Sequence, residues 1–464
     1  MSHLSYTEII REYPPVGNEK LRGEISTILQ ENNIRIVVLD DDPTGIQTVQ
    51  GNYLLTNWNA ENVTAALSDE IPFFYLLTNT RAMTAIDAET TVREAMNAVL
   101  DSNRDFGYKL VFVSRSDSTL RGHFPLESEV IREEIEKRSI PISLPTVFTP
   151  AFFEAGRYTL GGIHYMKDGD ALVPVSETEF ARDNVFGYTH SDLAGYIEEK
   201  SAGRIPPNDI QLIGLEEWRN LPIETLESKI SESAGKTYIT LDALDYNDLR
   251  KFAISLLHLV AKNDGYTVLR TSSSMPKALT GIADQPLLDR HSLKSEQSGG
   301  LFIVGSHVKK TTAQLSQLLE TPGVQGVEID IHEVLRDPVK LLDKTEEILS
   351  EIHTHGKTPV VYTSRQELRL DDATERQRVG QQISDFLVEI VKKLRFQPAW
   401  LVAKGGITSH DILTEGLGIE RARVLGQALP GVPAILTDKG MPYIIFPGNV
   451  GSEDALKEIY ERLG

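Results

Sequence analysis

Short apolar runs alternate along the chain with segments whose apolar residues recur every three or four positions. Ile34–Leu39, Phe73–Leu77, Leu110–Val113, Thr237–Leu241 and Tyr266–Leu269 are rich in β-branched and aromatic residues and predict buried strands. Between them, Ala88–Leu100 places Val92, Ala95, Met96 and Val99 on one face and predicts a helix. Strands alternating with helices predict a mainly parallel α/β sheet. The residues ahead of Ile34 read as a helical prelude. His291–Gly300 is polar and without period, and predicts a linker. A second α/β series follows it, with strands at Leu301–Val304, Val327–Ile331, Val360–Tyr362, Trp400–Ala403, Ala434–Leu436 and Tyr443–Phe446. Gln382–Leu394 predicts a helix whose face of Ile383, Phe386, Leu387, Ile390 and Leu394 is core. The fold expected is two α/β domains with mainly parallel sheets, over residues 1–290 and 301–464, joined by a linker at 291–300.

Composition narrows the function classes. The 464 residues suit two or three domains. Net charge is -20 and no long Lys/Arg run occurs, which argues against nucleic acid as a partner. The absence of cysteine excludes disulfides, thiolate nucleophiles and Cys-ligated zinc. The N-terminus has no basic region followed by an apolar core, and no apolar run approaches the roughly 20 residues that span a bilayer. A cytoplasmic protein without membrane association is expected. The assembly is left open, a homodimer included.

Three strand ends carry polar chemistry. Ile34–Leu39 runs into Asp40-Asp41-Asp42-Pro43-Thr44-Gly45. Ligands of open α/β sheets bind beyond the carboxyl ends of strands. Three adjacent carboxylates repel one another unless solvent, a cation or donors hold them. They can bind hydroxyls, take a proton from one, or hold Mg²⁺; a plain Asp-rich turn capping the next helix is the competing explanation. Leu110–Val113 runs into Ser114-Arg115-Ser116-Asp117-Ser118-Thr119-Leu120-Arg121-Gly122-His123, and Phe73–Leu77 into Thr78-Asn79-Thr80-Arg81. Hydroxyls and Asp suit a polyol, and arginine grips carboxylates at two points. A parallel sheet would bring these three ends to one edge. His123 and His164 lack metal-ligand spacing and are expected to be structural or to support the residues of the site.

In the second half, three strands end in small residues: Gly305-Ser306-His307, Lys404-Gly405-Gly406-Ile407-Thr408-Ser409 and Pro447-Gly448-Asn449-Val450-Gly451. Glycines admit phosphates close to backbone amides, and a following helix N-terminus favours negative charge. Neither a Walker A loop nor a strict dinucleotide fingerprint is present. Each segment alone is ordinary turn chemistry; three in one domain predict a phosphate or nucleotide site.

Leu39-Asp40-Asp41-Asp42-Pro43-Thr44-Gly45, Asp117-Ser118-Thr119-Leu120-Arg121-Gly122, Lys404-Gly405-Gly406-Ile407-Thr408-Ser409 and Phe446-Pro447-Gly448-Asn449-Val450-Gly451, in this order, resemble the four-carbon acid sugar kinase family, once catalogued as a domain of unknown function. Thr149-Pro150-Ala151-Phe152 and Arg270-Thr271-Ser272-Ser273-Ser274 add to the likeness, which runs from about residue 33 to the C-terminus. The resemblance implies an N-terminal sugar-acid-binding domain, a C-terminal nucleotide-binding domain and a ligand site in the cleft between them. It implies ATP-dependent phosphorylation of the terminal hydroxyl of threonate, erythronate, 3-oxo-tetronate or a branched acid such as 3-oxo-isoapionate. By the same likeness, substrate positions map onto Asp41, Arg81 and Ser116–Thr119, and nucleotide positions onto Ser306, Gly405, Gly406, Ile407, Thr408 and Gly448, with Asn449 beside it. One departure is the lead-in Ser114-Arg115-Ser116, where relatives that act on tetronates often carry lysines; it leaves the particular acid open.

The mechanism expected places the acid among Arg81, Ser116, Asp117, Ser118, Thr119 and Arg121. Asp41 or Asp42 orients the attacking hydroxyl and accepts its proton, with ATP and Mg²⁺ at the glycine loops. Rival readings are a nucleotide-binding sugar-acid sensor without turnover, and a dinucleotide-dependent oxidoreductase, against which the missing fingerprint stands.

Overall fold

The strand Ile34–Asp40 is buried at every position except Arg35. A strand apolar on both faces needs cover on both sides, which parallel sheets obtain from their crossover helices. The computed structural model describes residues 4–15, 17, 20–293, 299–365 and 372–464. It divides into two units, Met1–Asp284 and Gln285–Gly464. The division precedes the predicted linker 291–300, of which 294–298 lie outside the described residues. His291–Leu293 close a short helix, Arg290–Leu293, and Leu293 is buried in the core of the second unit.

In the first unit the strands lie in the order Ile210–Ile213, Tyr238–Leu241, Thr146–Thr149, Thr267–Thr271, Lys109–Arg115, Ile34–Asp40, Phe73–Leu77 and Tyr53–Leu55, with every adjacent pair parallel. From Ile34–Asp40 the chain first adds strands on one side and then crosses to the other. That reversal opens a crevice at the carboxyl end of this strand, where such sheets bind ligands. The helix Ala85–Ser102 buries Ala88, Val92, Ala95, Met96, Val99 and Leu100 against the sheet, on the predicted face. A small antiparallel sheet, ordered Leu4–Ser5, Ala171–Pro174, Ile163–Asp168 and Arg157–Leu160, is an addition to the parallel plan. The prelude accordingly opens on a strand before its helices Tyr6–Glu12 and Lys20–Glu31.

In the second unit the order is Arg421–Leu429, Val432–Thr437, Pro442–Phe446, Leu401–Lys404, Leu301–Val304, Thr358–Thr363 and Val324–Ile329. The first two pairings are antiparallel and the rest parallel. The predicted strand 327–331 ends two residues early, because Asp330 accepts from the amide of His332 at 2.8 Å and caps the helix Ile331–Arg336. Here the reversal falls between Leu301–Val304 and Leu401–Lys404, so Gly305 and Gly405 both follow strands at the switch point. In the helix Ala373–Lys392, Phe386, Leu387 and Ile390 are buried as predicted. No described helix is long and apolar enough to cross a membrane.

Candidate functional site

Register brings the polar strand ends of the first unit together. Asp40 lies opposite Arg115 on one side and Leu77 on the other, so the residues that follow each strand meet at one edge. Asp40 is fully buried, and Arg115 reaches its Oδ1 at 3.1 Å. Arg115 also donates to the Ser273 hydroxyl at 2.9 Å. Burial pushes the Asp40 carboxyl up to about 8, against the pull of Arg115 and with the help of Asp41 and Asp42.

That shift has a measurable consequence. The fold retains the Asp40 proton up to about pH 8, whereas the unfolded chain releases it near the ordinary carboxylate value. Between these limits the folded state carries the extra proton, so stability falls as pH rises, by at most about 1.4 kcal/mol per pH unit. Asp40→Asn cannot titrate. The melting temperature of the wild type minus that of Asp40→Asn is expected to decline between pH 5 and 8; a flat difference would remove Asp40 as the titrating group.

Asp41 and Asp42 are held by cations of the protein itself. Arg81 donates from Nε to Asp41 Oδ2 at 3.1 Å, from Nη2 to Asp41 Oδ1, and from Nη1 to Asp42 Oδ2 at 3.2 Å. Ser116 donates to Asp41 Oδ2 and also reaches the Arg121 carbonyl at 3.0 Å. Asp42 accepts from the Thr44 amide at 2.8 Å, and Gly45 N closes the turn onto the Asp42 carbonyl at 3.0 Å. Burial would raise the Asp42 carboxyl, but Arg81, Arg115 and Thr44 outweigh it and hold it below the usual range. The acidic run therefore caps a turn and not a helix, and arginines supply its counter-charge. Among the described residues no group of three or more His, Asp or Glu is arranged to hold a metal ion.

The segment from Asp117 to Arg121 is fixed from several sides. Asp117 accepts from Arg121 Nε at 2.8 Å and from the Thr119 hydroxyl. Burial opposes its charge, yet Arg81 and Arg121 hold it well below the usual carboxylate range. The carbonyls of Ser118, Thr119 and Leu120 accept from His164 (2.8 Å), Tyr188 (2.8 Å) and Tyr196 (2.6 Å). Burial pushes His164 down to about 4, so its ring is neutral and structural, as expected from its lack of metal spacing. His123 lies 3.1 Å from the Met83 carbonyl.

Sequence reasoning missed Glu127. It is buried and accepts from Thr80 at 2.5 Å and Ser114 at 3.1 Å, joining two of the strand ends from below. Burial, and then Asp41, raise its carboxyl. No local signal marks it, since it stands on the helix Leu126–Glu136 beyond the polar segment.

The second unit gathers its own predicted residues. Gly405 has φ of +120° and donates to the Phe446 carbonyl at 2.8 Å, so only glycine suits the link between these two strand ends. Thr311 bridges the Ser306 hydroxyl (3.1 Å) and the Gly448 carbonyl (3.2 Å). Lys310 donates to the Asn449 carbonyl at 3.2 Å. Gly406 begins a helix, Gly406–Asp411; Thr408 is buried and Ile407 is 67% exposed. Lys404, which opens the predicted glycine segment, is fully buried and donates to the carbonyls of Pro447 (2.6 Å) and Gly448 (3.1 Å). Burial, then Lys310, push its ammonium down to about 7. Beside this edge lies a hollow of about 750 Å³ lined by His307, Lys309, Thr312, Ser316 and Arg365, among others.

Residues 36–279 match the family model described as a sugar-binding N-terminal domain, and residues 301–456 the nucleotide-binding C-terminal domain. The chain belongs to the four-carbon acid sugar kinase family. The carboxylate-rich edge thus lies in the sugar-binding domain of this family, and the glycine-rich edge in its nucleotide-binding domain. Two solved structures share the fold. A Haemophilus influenzae protein of the DUF1537 family is 16% identical, with a TM-score of 0.68, over 92% of this chain and 100% of that one. A Salmonella typhimurium LT2 protein, provisionally described as a tRNA synthase, is 16% identical with a TM-score of 0.70, over 92% and 98%. Among curated proteins no sequence matches the chain.

Proposed function

We propose that this protein is an ATP-dependent kinase that phosphorylates a hydroxyl of a short acid sugar. The observation that carries the reading is the pairing, on one chain, of a sugar-binding domain and a nucleotide-binding domain whose strand ends hold opposite chemistries. The first offers buried carboxylates, hydroxyls and arginines, which suit a polyol acid. The second offers glycine backbone, Lys404 and a hollow bordered by Lys309 and Arg365, which suit a phosphate-bearing group.

In this reading Asp41 or Asp42 orients the acceptor hydroxyl and takes its proton, with Arg81 fixing both carboxylates in place. Ser116 and the Asp117–Arg121 segment hold the remaining hydroxyls. Ser306, Gly405, Gly406, Ile407, Thr408, Gly448 and Asn449 border the nucleotide. Mg²⁺ entering with the nucleotide would supply charge neutralisation there. Positioning and charge stabilisation are most of what such a reaction asks of a protein.

The test is ADP release with threonate, erythronate, 3-oxo-tetronate and 3-oxo-isoapionate, each against an acid-free control. At least one acid is expected to raise release well above the control, with a phosphorylated acid as product. Nucleotide and acid binding with no ADP above the control would sink the kinase reading.

A further inference from the structure

The arginines expected to grip the substrate are already engaged. Arg81 is paired with Asp41 and Asp42, and Arg121 with Asp117 at 2.8 Å and Asp183 at 3.8 Å. The positive charge of each is already balanced by carboxylates of the protein, and Arg81 spends three of its five N–H donors on them. Two other arginines of this region, Arg157 and Arg270, have no carboxylate within 4.0 Å among the described residues. Arg270 is 3% exposed; its Nη1 and Nη2 donate to the carbonyls of Thr271 (3.2 Å) and Arg121 (3.5 Å), and its Nε has no partner.

Arg157 differs in being only half-buried. Its Nη1 donates to the Ala155 carbonyl and its buried Nε has no partner. Burial lowers its affinity for the proton, and Asp117 and Arg121 are the charges that bear on it. A cation partly removed from water without a counter-anion is unfavourable, and an anionic ligand relieves that cost.

Its strand is tied to the substrate segment. Arg157–Leu160 pairs with Ile163–Asp168; within that hairpin Thr159 meets His164 Nδ1 at 3.0 Å, and His164 Nε2 donates to the Ser118 carbonyl at 2.8 Å. The hairpin is thereby seated on the Asp117–Arg121 loop.

We propose that Arg157 is the guanidinium that recognises the carboxylate of the acid sugar, and so selects an acid over the neutral polyol. The assignment rests on the kinase reading for its substrate class. A planar fork meets a carboxylate at two points, which a lysine cannot reproduce.

The experiment reads binding and not turnover. Calorimetry of the full chain without nucleotide compares threonate and erythronate with threitol and erythritol. The wild type is expected to bind an acid in preference to its polyol. Arg157→Gln should lose about tenfold to a hundredfold in acid affinity and with it that preference. Arg157→Lys, which keeps the charge and guards against a misfolded glutamine variant, should keep a weaker preference. Unchanged acid affinity in either variant would overturn the assignment, as would a wild type that binds no acid of the panel, even one that phosphorylates a polyol. Acid binding without ADP release would remove the kinase reading and leave Arg157 in place.

Discussion

On the proposed kinase reading, Asp41→Ala is expected to lower acid-dependent ATP consumption by a factor on the order of 10²–10⁴ in kcat, and by more than Asp42→Ala does. Asp41 is 1% exposed and is the point at which the acidic strand end is tied together: it takes two nitrogens of Arg81 and the hydroxyl of Ser116. Without it, Arg81 keeps only the 3.2 Å contact to Asp42, and the three strand ends lose their common partner. Asp42 takes a single Arg81 nitrogen, lies outside the Ser116 hydroxyl's bond, and its charge is held below the usual range by Arg81, Arg115 and Thr44. Breaking the Arg81 pair also costs stability, on the order of 2–3 kcal/mol, less than a fully buried pair because Arg81 is 20% exposed. A melt recorded beside the kinetics separates the two effects. Wild-type turnover in a folded Asp41→Ala protein would take the acidic strand end out of the reaction.

Most sheet strands of both units were legible because a strand buried on both faces must be a continuous apolar run; Thr146–Thr149, internal and buried but half threonine, and Arg421–Leu429, which alternates buried and half-buried positions, were not read. Phe73–Leu77 is buried at all five positions and coincides with its prediction. Edge strands carry less of that signal. Ile210–Ile213 is only partly buried, and Tyr53–Leu55 has three residues, too few to show a pattern. The antiparallel hairpin that bears Arg157 does have a signature, the pair Gly161-Gly162 between Arg157–Leu160 and Ile163–Asp168, which is a two-residue turn signal. The candidate site was legible in type and not in pairing. The carboxylates, hydroxyls and glycines announce themselves at strand ends. That Asp40 faces Arg115, and that Glu127 reaches back to Thr80 and Ser114, depends on register and on a helix further along the chain. Local sequence contains neither.

Gly45→Ala is expected to unsettle the first unit more than any other small substitution in this loop. A Cβ at residue 45 would stand 2.0 Å from Asp40 Oδ2, 2.1 Å from Oδ1 and 2.3 Å from Cγ. The carboxyl cannot swing aside cheaply. Asp40 is fully buried, its strand is paired on both sides, and Arg115 holds Oδ1 at 3.1 Å. Either the Pro43–Gly45 turn opens, breaking the 3.0 Å bond from Gly45 N to the Asp42 carbonyl, or Asp40 leaves Arg115. Overpacking of this kind costs on the order of 3 kcal/mol, or about 6–12 °C in Tm. The cause is separable from a general intolerance of alanine in the turn. Asp40→Ala removes the atoms that the new methyl meets, so the double variant Asp40→Ala/Gly45→Ala should lose clearly less than the sum of the single losses. Additive losses would place the strain of Gly45→Ala elsewhere in the turn, and an unaltered Tm in the single variant would mean that the Asp40 carboxyl has room to move.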